Sequence, residues 1–164
     1  MVPSVITQEL LKCLFVYENG HLFWRIKPSN SASIGDLAGY IRPPQNYRYV
    51  GINKKYYLAH RLIYLYHYGQ LPKYIDHIDG NVYNNKIENL RECSLRQNGM
   101  NRGKGINNTS GHKGISWYSS NNRWCAKLST NDGVKRKFFS LREDAINWIK
   151  EMRNTHHNEF ANNN

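Results

Sequence analysis

Small oxygen-bearing side chains cluster around one histidine in the segment YIDHIDGNVYNNKIENLREC, residues 74–93. Asp76 directly precedes His77, and several asparagines follow within two dozen residues. A carboxylate and an amide oxygen can together hold a hard divalent cation such as Mg²⁺. A neighbouring imidazole can take a proton from water near neutral pH. Because such a metal stabilises charge on a leaving oxygen, the segment carries the minimum chemistry for phosphodiester hydrolysis.

The adjacency of the acid and the histidine sets a geometric condition. If Asp76 and His77 lie on a strand, their side chains point to opposite faces. Both could then serve one phosphate only where the strand ends in a strongly twisted or looped hairpin. The segment is not a calcium hand, because Ile78 occupies a position that needs an oxygen ligand. We therefore assign Asp79 and Asn81 to the turn rather than to a metal site.

The segment resembles the HNH nucleases, in the version common in phage and intron homing endonucleases. The lead-in HRLIYLYHYGQLPKYI just upstream also fits that family. The resemblance implies a ββα-metal hairpin within about residues 60–101, a divalent ion that is Mg²⁺ or alternatively Mn²⁺, and double-stranded DNA as partner. The family pattern of D-H-[IV]-D-G-N, an Asn-rich loop, E-N-L-R and Q-N is matched by Asp76–Asn81, Asn84-Asn85, Glu88–Arg91 and Gln97-Asn98.

Carried over residue by residue, the resemblance assigns the roles in the site. Asp76 and Asn98 would be the metal ligands, and His77 would be the general base. Asn89 would be the middle asparagine, which holds the loop so that His77 is aimed at water. Arg91 is expected either to touch phosphate or to pair with a carboxylate, and the same alternatives hold for Arg61.

Turn residues and apolar periodicity predict the elements that position this site. The first sixty residues read as β-rich, with hairpin turns at Asn19-Gly20 and Asn53-Lys54. A short helix should end at Gly69, and a second should begin after Ser94 as its N-cap. The predicted elements are two strands within residues 15–26, two within 46–60, helix 60–69, extended pieces 74–77 and 90–93, and helix 94–101.

The last fifty residues predict a three-stranded sheet packed on one helix. Turns are expected at residues 120–122 and at Asn131-Asp132-Gly133. In the second strand, Trp124, Ala126 and Leu128 alternate with polar or basic residues, so one face is apolar and the other basic. The helix should begin with a capping box of Ser140 and Glu143. Its sheet-facing residues should be Ala145, Trp148, Ile149 and Met152, and His156-His157 should cap its C-terminus.

Positive charge is concentrated in the Gly/Asn-rich segment after residue 100 and in the predicted sheet that follows it. The net charge is +11, and residues 101–137 hold eight cations against one acid. Clustered cations with aromatic residues are typical of a nucleic-acid surface. The alternatives are a merely soluble basic protein and a small α+β module for protein contacts. We interpret the Gly/Asn-rich residues 102–112 as a linker.

The C-terminal unit resembles the plant ethylene-response-factor type of DNA-binding domain, the Apetala family. The resemblance rests on SGHKGISWY, RWCAKL, FFSLREDA and HHNEFA. In that family the sheet enters the major groove and the helix packs behind it. The family often has arginine at Ser116 and glutamate at Lys127, so base specificity does not transfer. The expected DNA-binding residues are Lys113, Ser116, Arg123, Lys127 and Ser129, together with Lys135, Arg136 and Lys137, a run that obscures which side chains face out.

Together these features predict an α+β protein with a β-rich lead, an HNH endonuclease domain (1–101), a linker (102–112) and an Apetala-type domain (113–161). The expected function is that of a metal-dependent DNA endonuclease of the phage or mobile-element homing type. One alternative is a DNA-binding regulator with an inactive HNH site, and another is a protein that binds or cleaves RNA.

The cysteines, the N-terminal residues and the lengths of the apolar stretches restrict the expected cellular location. The three cysteines are far apart and form no C-x-x-C pair, so no structural zinc is expected. The N-terminus lacks a signal-peptide pattern, and no stretch approaches the ~20 apolar residues that span a bilayer. We expect a monomeric protein of the bacterial host cytoplasm, not secreted, with no membrane association and no obligate protein partner.

Overall fold

The computed structural model describes residues 6–130 and 132–162 and divides the chain into two compact units, Met1–Ser94 and Leu95–Asn164. Helix and strand take similar shares of the chain, 31% and 33%, which confirms the predicted α+β class. The domain and linker boundaries predicted from the sequence remain predictions. Within the described residues, no helix is long and apolar enough to cross a membrane.

In its described residues, the first unit combines two helices with three small antiparallel sheets, β1-β2, β3-β4-β5 and β6-β7. A 3₁₀ turn at Ile87–Asn89 precedes its last strand. Its helices and strands are α1 (Gln8–Leu14), β1 (Phe15–Glu18), β2 (His21–Trp24), β3 (Tyr40–Arg42), β4 (Tyr47–Ile52), β5 (Lys55–Leu58), α2 (Ala59–Tyr68), β6 (Tyr74–His77) and β7 (Leu90–Cys93).

The turn chemistry of this unit follows the sequence. Asn19 and Gly20 take φ of 46° and 85° between β1 and β2, and Asn53 and Lys54 take 51° and 62° between β4 and β5. Gly69 ends α2 in the left-handed region, with its N–H donating to the carbonyl of residue 65. These predicted turns are confirmed, because left-handed backbone is cheapest for glycine and asparagine.

Two elements of the first unit were not predicted. Helix α1 is only seven residues long and begins at Thr7, whose hydroxyl accepts the N–H of Leu10 at 3.2 Å. Strand β3 is three residues long and lies in a Pro/Gly/Ser-rich stretch between the two predicted pairs of strands. A helix of seven residues and a strand of three are too short to show a periodic apolar pattern in the sequence. Their structure therefore depends on the elements that they pack against or pair with.

An apolar core formed by described residues of the first unit anchors the hairpin that carries the candidate site. Helices α1 and α2 pack together, and α2 also contacts β2 and β4. Ile75 of β6 and Leu90 of β7 are 8% and 4% exposed and belong to this core. The hairpin is therefore anchored in the same core as α2. The other buried members include Leu11, Phe15, Leu22, Val50, Leu62 and Ile63.

The second unit contains the predicted sheet and helix. The sheet has the order β10-β9-β8, all antiparallel, and α4 packs on it through a core that includes Ala126, Ala145 and Ile149. Asn131, part of a predicted turn, lies outside the described residues. The elements are α3 (Leu95–Asn101), β8 (Ile115–Tyr118), β9 (Arg123–Thr130), β10 (Gly133–Phe139) and α4 (Arg142–His157), with 3₁₀ turns at Ser119–Asn121 and Asn158–Phe160.

The predicted N-terminal cap of α4 is wrong, whereas His156 and His157 lie in its last turn as predicted. The N-cap residue is Leu141, and no side chain caps this end, so Ser140 and Glu143 form no capping box. His157 is buried, and its Nε2 donates to the carbonyl of Ser129 on β9 at 3.0 Å.

Candidate functional site

The β6-β7 register places the aspartate and the histidine on opposite faces of the hairpin. Asp76 pairs with Arg91, and His77 pairs with Leu90 at the end of the strand. Cross-strand partners share a face, so Asp76 and Arg91 lie together, while His77 lies on the face of the core residue Leu90. Immediately after His77 the chain turns, with the N–H of residue 78 donating to the carbonyl of Asn89 at 2.9 Å.

Arg91 holds the Asp76 carboxylate. Its Nε and Nη2 donate to Oδ2 of Asp76 at 3.0 and 2.9 Å, and both side chains are largely buried. Of the two alternatives for Arg91, pairing with a carboxylate is the one observed. Arg61 instead donates to the carbonyls of Pro72 and Lys73 at 3.0 and 3.2 Å. It thereby fixes the segment that leads into β6.

Asn85 orients the imidazole of His77. Nε2 of His77 lies 2.8 Å from Oδ1 of Asn85, and both side chains are buried. Because an amide oxygen only accepts, Nε2 carries the proton in this hydrogen bond. The neutral ring then has its basic lone pair on Nδ1. Sequence reasoning did not single out Asn85, although its place in the Asn-rich loop eight residues beyond His77 was a signal.

Two further rings, also missed from the sequence, pack around His77. The ring centroid of His60 lies 5.1 Å from that of His77, and Tyr47 lies 5.3 Å from His60 and 6.3 Å from His77. Burial, with smaller effects of His77 and Arg61, lowers the pKa of His60 to about 3. Burial, and then Asp76, raises the pKa of Tyr47. Both neighbours are therefore neutral near pH 7 and surround the imidazole without adding charge.

Asn89 ties together the loop between β6 and β7. Its Nδ2 donates to Oδ1 of Asp79 at 2.9 Å and to the carbonyl of Asn84 at 2.7 Å, and its Oδ1 accepts the N–H of Asp79 at 3.1 Å. Burial raises the pKa of Asp79, but hydrogen bonds from Asn84, Asn81 and Asn89 outweigh it, so the pKa is lowered. This is the geometry that a loop-holding residue requires, and the catalytic role of Asn89 remains a prediction.

The residues available for a metal ion supply oxygen donors. Asp76 offers a carboxylate fixed by Arg91, which suits a hard cation such as Mg²⁺. Among the described residues, no group of three or more His, Cys, Asp or Glu could hold a metal ion. A divalent ion here would therefore depend on amide and phosphate oxygens as well. Asn98 lies on α3, in the second unit, so its partnership with Asp76 remains a prediction.

The register of the second unit's sheet separates its cations onto two faces. Arg136 lies opposite Lys127, whereas Lys135 and Lys137 lie opposite the buried Leu128 and Ala126. Arg136 therefore shares a face with Lys127, while the two lysines beside it occupy the face that packs on α4. We call the first of these the basic face; its members are Ser116, Tyr118, Arg123, Cys125, Lys127, Ser129, Val134, Arg136 and Phe138.

Two lysines predicted to bind DNA have partners within the protein. The Lys113 ammonium donates to the carbonyls of Met100, at 2.8 Å, and Arg102. Burial, followed by the charges of Arg153 and Arg102, lowers the pKa of Lys113 to about 8. The Lys137 ammonium lies 5.4 Å from the centroid of the Phe139 ring. The DNA-binding roles of all the predicted residues remain predictions.

Comparison with known proteins gives a family match over the segment that contains the β6-β7 hairpin. A family model described as HNH endonuclease matches residues 57–100, a segment that contains Asp76, His77, Asn89 and Asn98. Protein 3.8 of Escherichia phage T7 is 38% identical over 96 residues, which are 57% of this chain and 78% of that protein. No solved structure gives a significant match. The sheet of the second unit lies outside the matched family segment.

Proposed function

Because the chain belongs to the HNH endonuclease family, with its HNH endonuclease domain at residues 57–100, we propose that it is a metal-dependent DNA endonuclease. The reaction is hydrolysis of a phosphodiester bond. The observation that carries this proposal is the His77–Asn85 hydrogen bond of 2.8 Å next to the arginine-held Asp76, all within the matched segment.

His77 is the general base in this proposal. The Asn85 amide oxygen holds the proton on Nε2, so that Nδ1 accepts a proton from the attacking water. His60 and Tyr47 limit rotation of the imidazole by packing against it. Asn89 holds the loop so that His77 keeps this position. These neighbouring groups take no part in the bond-breaking step. They preorganise the site by orienting one basic nitrogen of His77.

Asp76 and Asn98 are the proposed ligands of one divalent ion, Mg²⁺ or alternatively Mn²⁺. When bound, such an ion stabilises negative charge on the scissile phosphate and the leaving oxygen. We propose that β6, β7 and α3 form the ββα-metal unit of the family. Support comes from the chain order, since α3 begins two residues after β7 ends.

The second unit contains the proposed Apetala-type domain, residues 113–161, which follows the HNH domain (1–101) and the linker (102–112). We propose that this domain holds the DNA. The proposed contacts are Lys113, Ser116, Arg123, Lys127, Ser129, Lys135, Arg136 and Lys137. The basic face favours Arg123, Lys127 and Arg136 among them, because these side chains are exposed and share one side of the sheet. Neutralising phosphates with such cations provides affinity that falls with salt.

The phage relative supports a proposal for the biological setting. We propose a homing-type enzyme of a phage or mobile element that acts as a monomer in the cytoplasm of a bacterial host. The substrate is double-stranded DNA.

Incubation with nucleic acid and metal tests the proposal. Supercoiled plasmid, linear duplex and single-stranded RNA are incubated with Mg²⁺, with Mn²⁺ or with EDTA. We expect cleavage of DNA with metal and none with EDTA. Binding without cleavage in every metal would favour the DNA-binding regulator with an inactive HNH site. Cleavage of RNA alone would replace DNA with RNA as the substrate.

A further inference from the structure

The β3-β4-β5 sheet of the first unit carries tyrosines on the side that faces away from the core. Val50 and Ile52 of β4 are buried in the core, so the residues that alternate with them point to the other side. Cross-strand partners share a face, and the register therefore adds residues of β3 and β5 to that side. We call it the tyrosine face; its members are Tyr40, Arg42, Tyr47, Tyr49, Gly51, Tyr56 and Leu58.

Two tyrosine rings of this face are accessible to a ligand. Tyr40 and Tyr56 are 48% and 62% exposed. Their ring centroids lie 6.1 Å apart with the ring planes at 84°, an edge-to-face contact that covers one face of only one ring. Gly51 is the cross-strand partner of Tyr56, and a Cβ added there would lie 3.4 Å from a carbon of the Tyr56 ring. The Tyr56 ring therefore lies close to the backbone of β4 and leaves ring surface open to solvent.

The segment that forms this face carries positive charge without acidic residues. Residues 37–75 contain six lysine and arginine side chains and no aspartate or glutamate. Arg42 is a member of the tyrosine face, and its exposed guanidinium carbon lies 5.9 Å from the centroid of the Tyr49 ring. Aromatic rings stack on nucleic-acid bases, and cations beside them attract phosphates. The face therefore suits a polyanion that also presents flat rings.

The tyrosine face is continuous with the proposed general base. Tyr47 begins β4, and its ring centroid lies 6.3 Å from that of His77. Tyr49 and Gly51 follow along the same strand at intervals of about 7 Å. Because Gly51 pairs with Tyr56, the row of aromatic residues leads from His77 along β4 toward Tyr56. A DNA strand whose phosphate lies at His77 can extend along this row.

We propose that the tyrosine face binds unpaired bases of the DNA strand beside the scissile phosphate, an inference that rests on the proposed endonuclease function. In a duplex, the neighbouring bases cover both faces of each base. A tyrosine ring can therefore stack only on a base that has left the duplex stack. Tyr40, Tyr49 and Tyr56 provide the rings, and Arg42 contacts phosphate. Such stacking tolerates every base, so this surface selects an opened strand rather than a sequence.

The affinity of the full chain for a single-stranded oligonucleotide in EDTA tests the proposal. Tyr40→Leu and Tyr56→Leu should each weaken binding about tenfold, because leucine is apolar but has no flat ring. Tyr40→Phe and Tyr56→Phe keep the ring and should bind within about twofold of the unmutated protein. Tyr68→Leu is the matched control, because Tyr68 is 54% exposed but lies on α2. Parental affinity in both leucine variants would overturn the proposal.

Two duplexes that differ in one strand test whether the bases must be unpaired. One duplex is fully paired, and the other has a short central bubble of mismatched bases. In EDTA, the bubble duplex should bind about tenfold more tightly, and Tyr56→Leu should remove the difference. Equal affinity of the unmutated protein for the two duplexes would contradict the proposal.

Photocross-linking locates the strand on the unmutated protein. A single strand that contains 5-iododeoxyuridine is irradiated with the full chain in EDTA, and the cross-linked residues are identified by mass spectrometry. We expect cross-links at Tyr40, Tyr49 or Tyr56, and cross-links confined to the second unit would count against the proposal.

These measurements separate the inference from the endonuclease assignment, because none of them needs metal or cleavage. A protein that cuts DNA without these cross-links and without a preference for the bubble would overturn this inference alone. A protein that shows both but cuts in no metal would overturn the endonuclease assignment and leave the strand-binding face in place.

Discussion

Arg91 directs both Nε and Nη2 at one carboxylate oxygen of Asp76, at 3.0 and 2.9 Å. The two residues face each other across β6 and β7, so the pair also fixes the register at the candidate site. Replacing Arg91 with Gln leaves the largely buried carboxylate without this cation.

We therefore expect Arg91→Gln to lower the free energy of unfolding by about 3 kcal/mol. Urea unfolding of the full chain measures this. Arg25→Gln is the matched control, because that exposed arginine donates to one backbone carbonyl at 3.2 Å and pairs with no acid in the described residues. Equal midpoints for the two variants would show that the ion pair contributes little.

Variants of the HNH residues should lose DNA cleavage but keep DNA binding. We expect Asp76→Ala and His77→Ala to abolish plasmid cleavage while DNA retention survives, because the basic face provides most of the affinity in our proposal. Gel retardation and nicking assays on the same preparations measure the two properties. His67→Ala, at a ring that packs 4.4 Å from Tyr17 rather than in the site, should cut normally. Cleavage at the parental rate by either site variant would remove that residue from the mechanism.

Asn85 should matter through His77 alone. Asn85→Ala removes the acceptor of the 2.8 Å bond to Nε2, so the ring loses its fixed tautomer and orientation. By analogy with residues that orient catalytic or metal-binding histidines, we expect cleavage to fall about 10–100-fold. DNA affinity should not change. Asn81→Ala, in the exposed turn, provides the comparison, and a similar rate loss there would point to general damage of the loop.

Asp79 should make stability depend on acid pH. Hydrogen bonds from Asn84, Asn81 and Asn89 outweigh burial and lower the pKa of Asp79 below its ordinary value of 3.8. Its stabilising contribution is therefore present above pH 3.8 and is lost as pH falls through the lower folded-state pKa. Urea midpoints of the native chain and of Asp79→Asn, measured from about pH 2 to 6, should converge toward the acid end. A constant difference across this range would contradict the assignment.

The two faces of β10 should respond differently to charge removal. Arg136 lies on the basic face opposite Lys127, and Lys137 lies on the other face opposite Ala126. We expect Arg136→Gln to weaken duplex binding and to reduce the log–log salt slope by about 0.9, the value for one phosphate contact. Lys137→Gln should change the slope less. An equal reduction in both variants would mean that the basic face is not the DNA-facing side.

Most of the local structure could be predicted from the sequence. Asn19-Gly20, Asn53-Lys54 and Gly69 mark real turns, and all of these residues except Lys54 are glycine or asparagine, which adopt positive φ at the lowest cost. The order of three strands and a helix after residue 113 is also confirmed. The alternation of apolar and polar residues in strands and the helical spacing of apolar residues are local patterns that extend over a few residues. The cap of α4 was wrong because Ser140 lies one residue before the observed N-cap, a boundary that packing adjusts.

The sequence by itself determined which side chains are available for chemistry, in the order of aspartate, histidine and asparagines within one short segment and in the excess of cations that follows. Only the tertiary structure decided which groups meet. Asp76 pairs with Arg91, fifteen residues away, His77 bonds Asn85 and packs against His60, and Arg136 rather than Lys137 shares the face of Lys127. These contacts depend on strand register and loop closure. Both bring together residues that are distant in sequence, and the conformational preference of each residue alone does not specify such contacts.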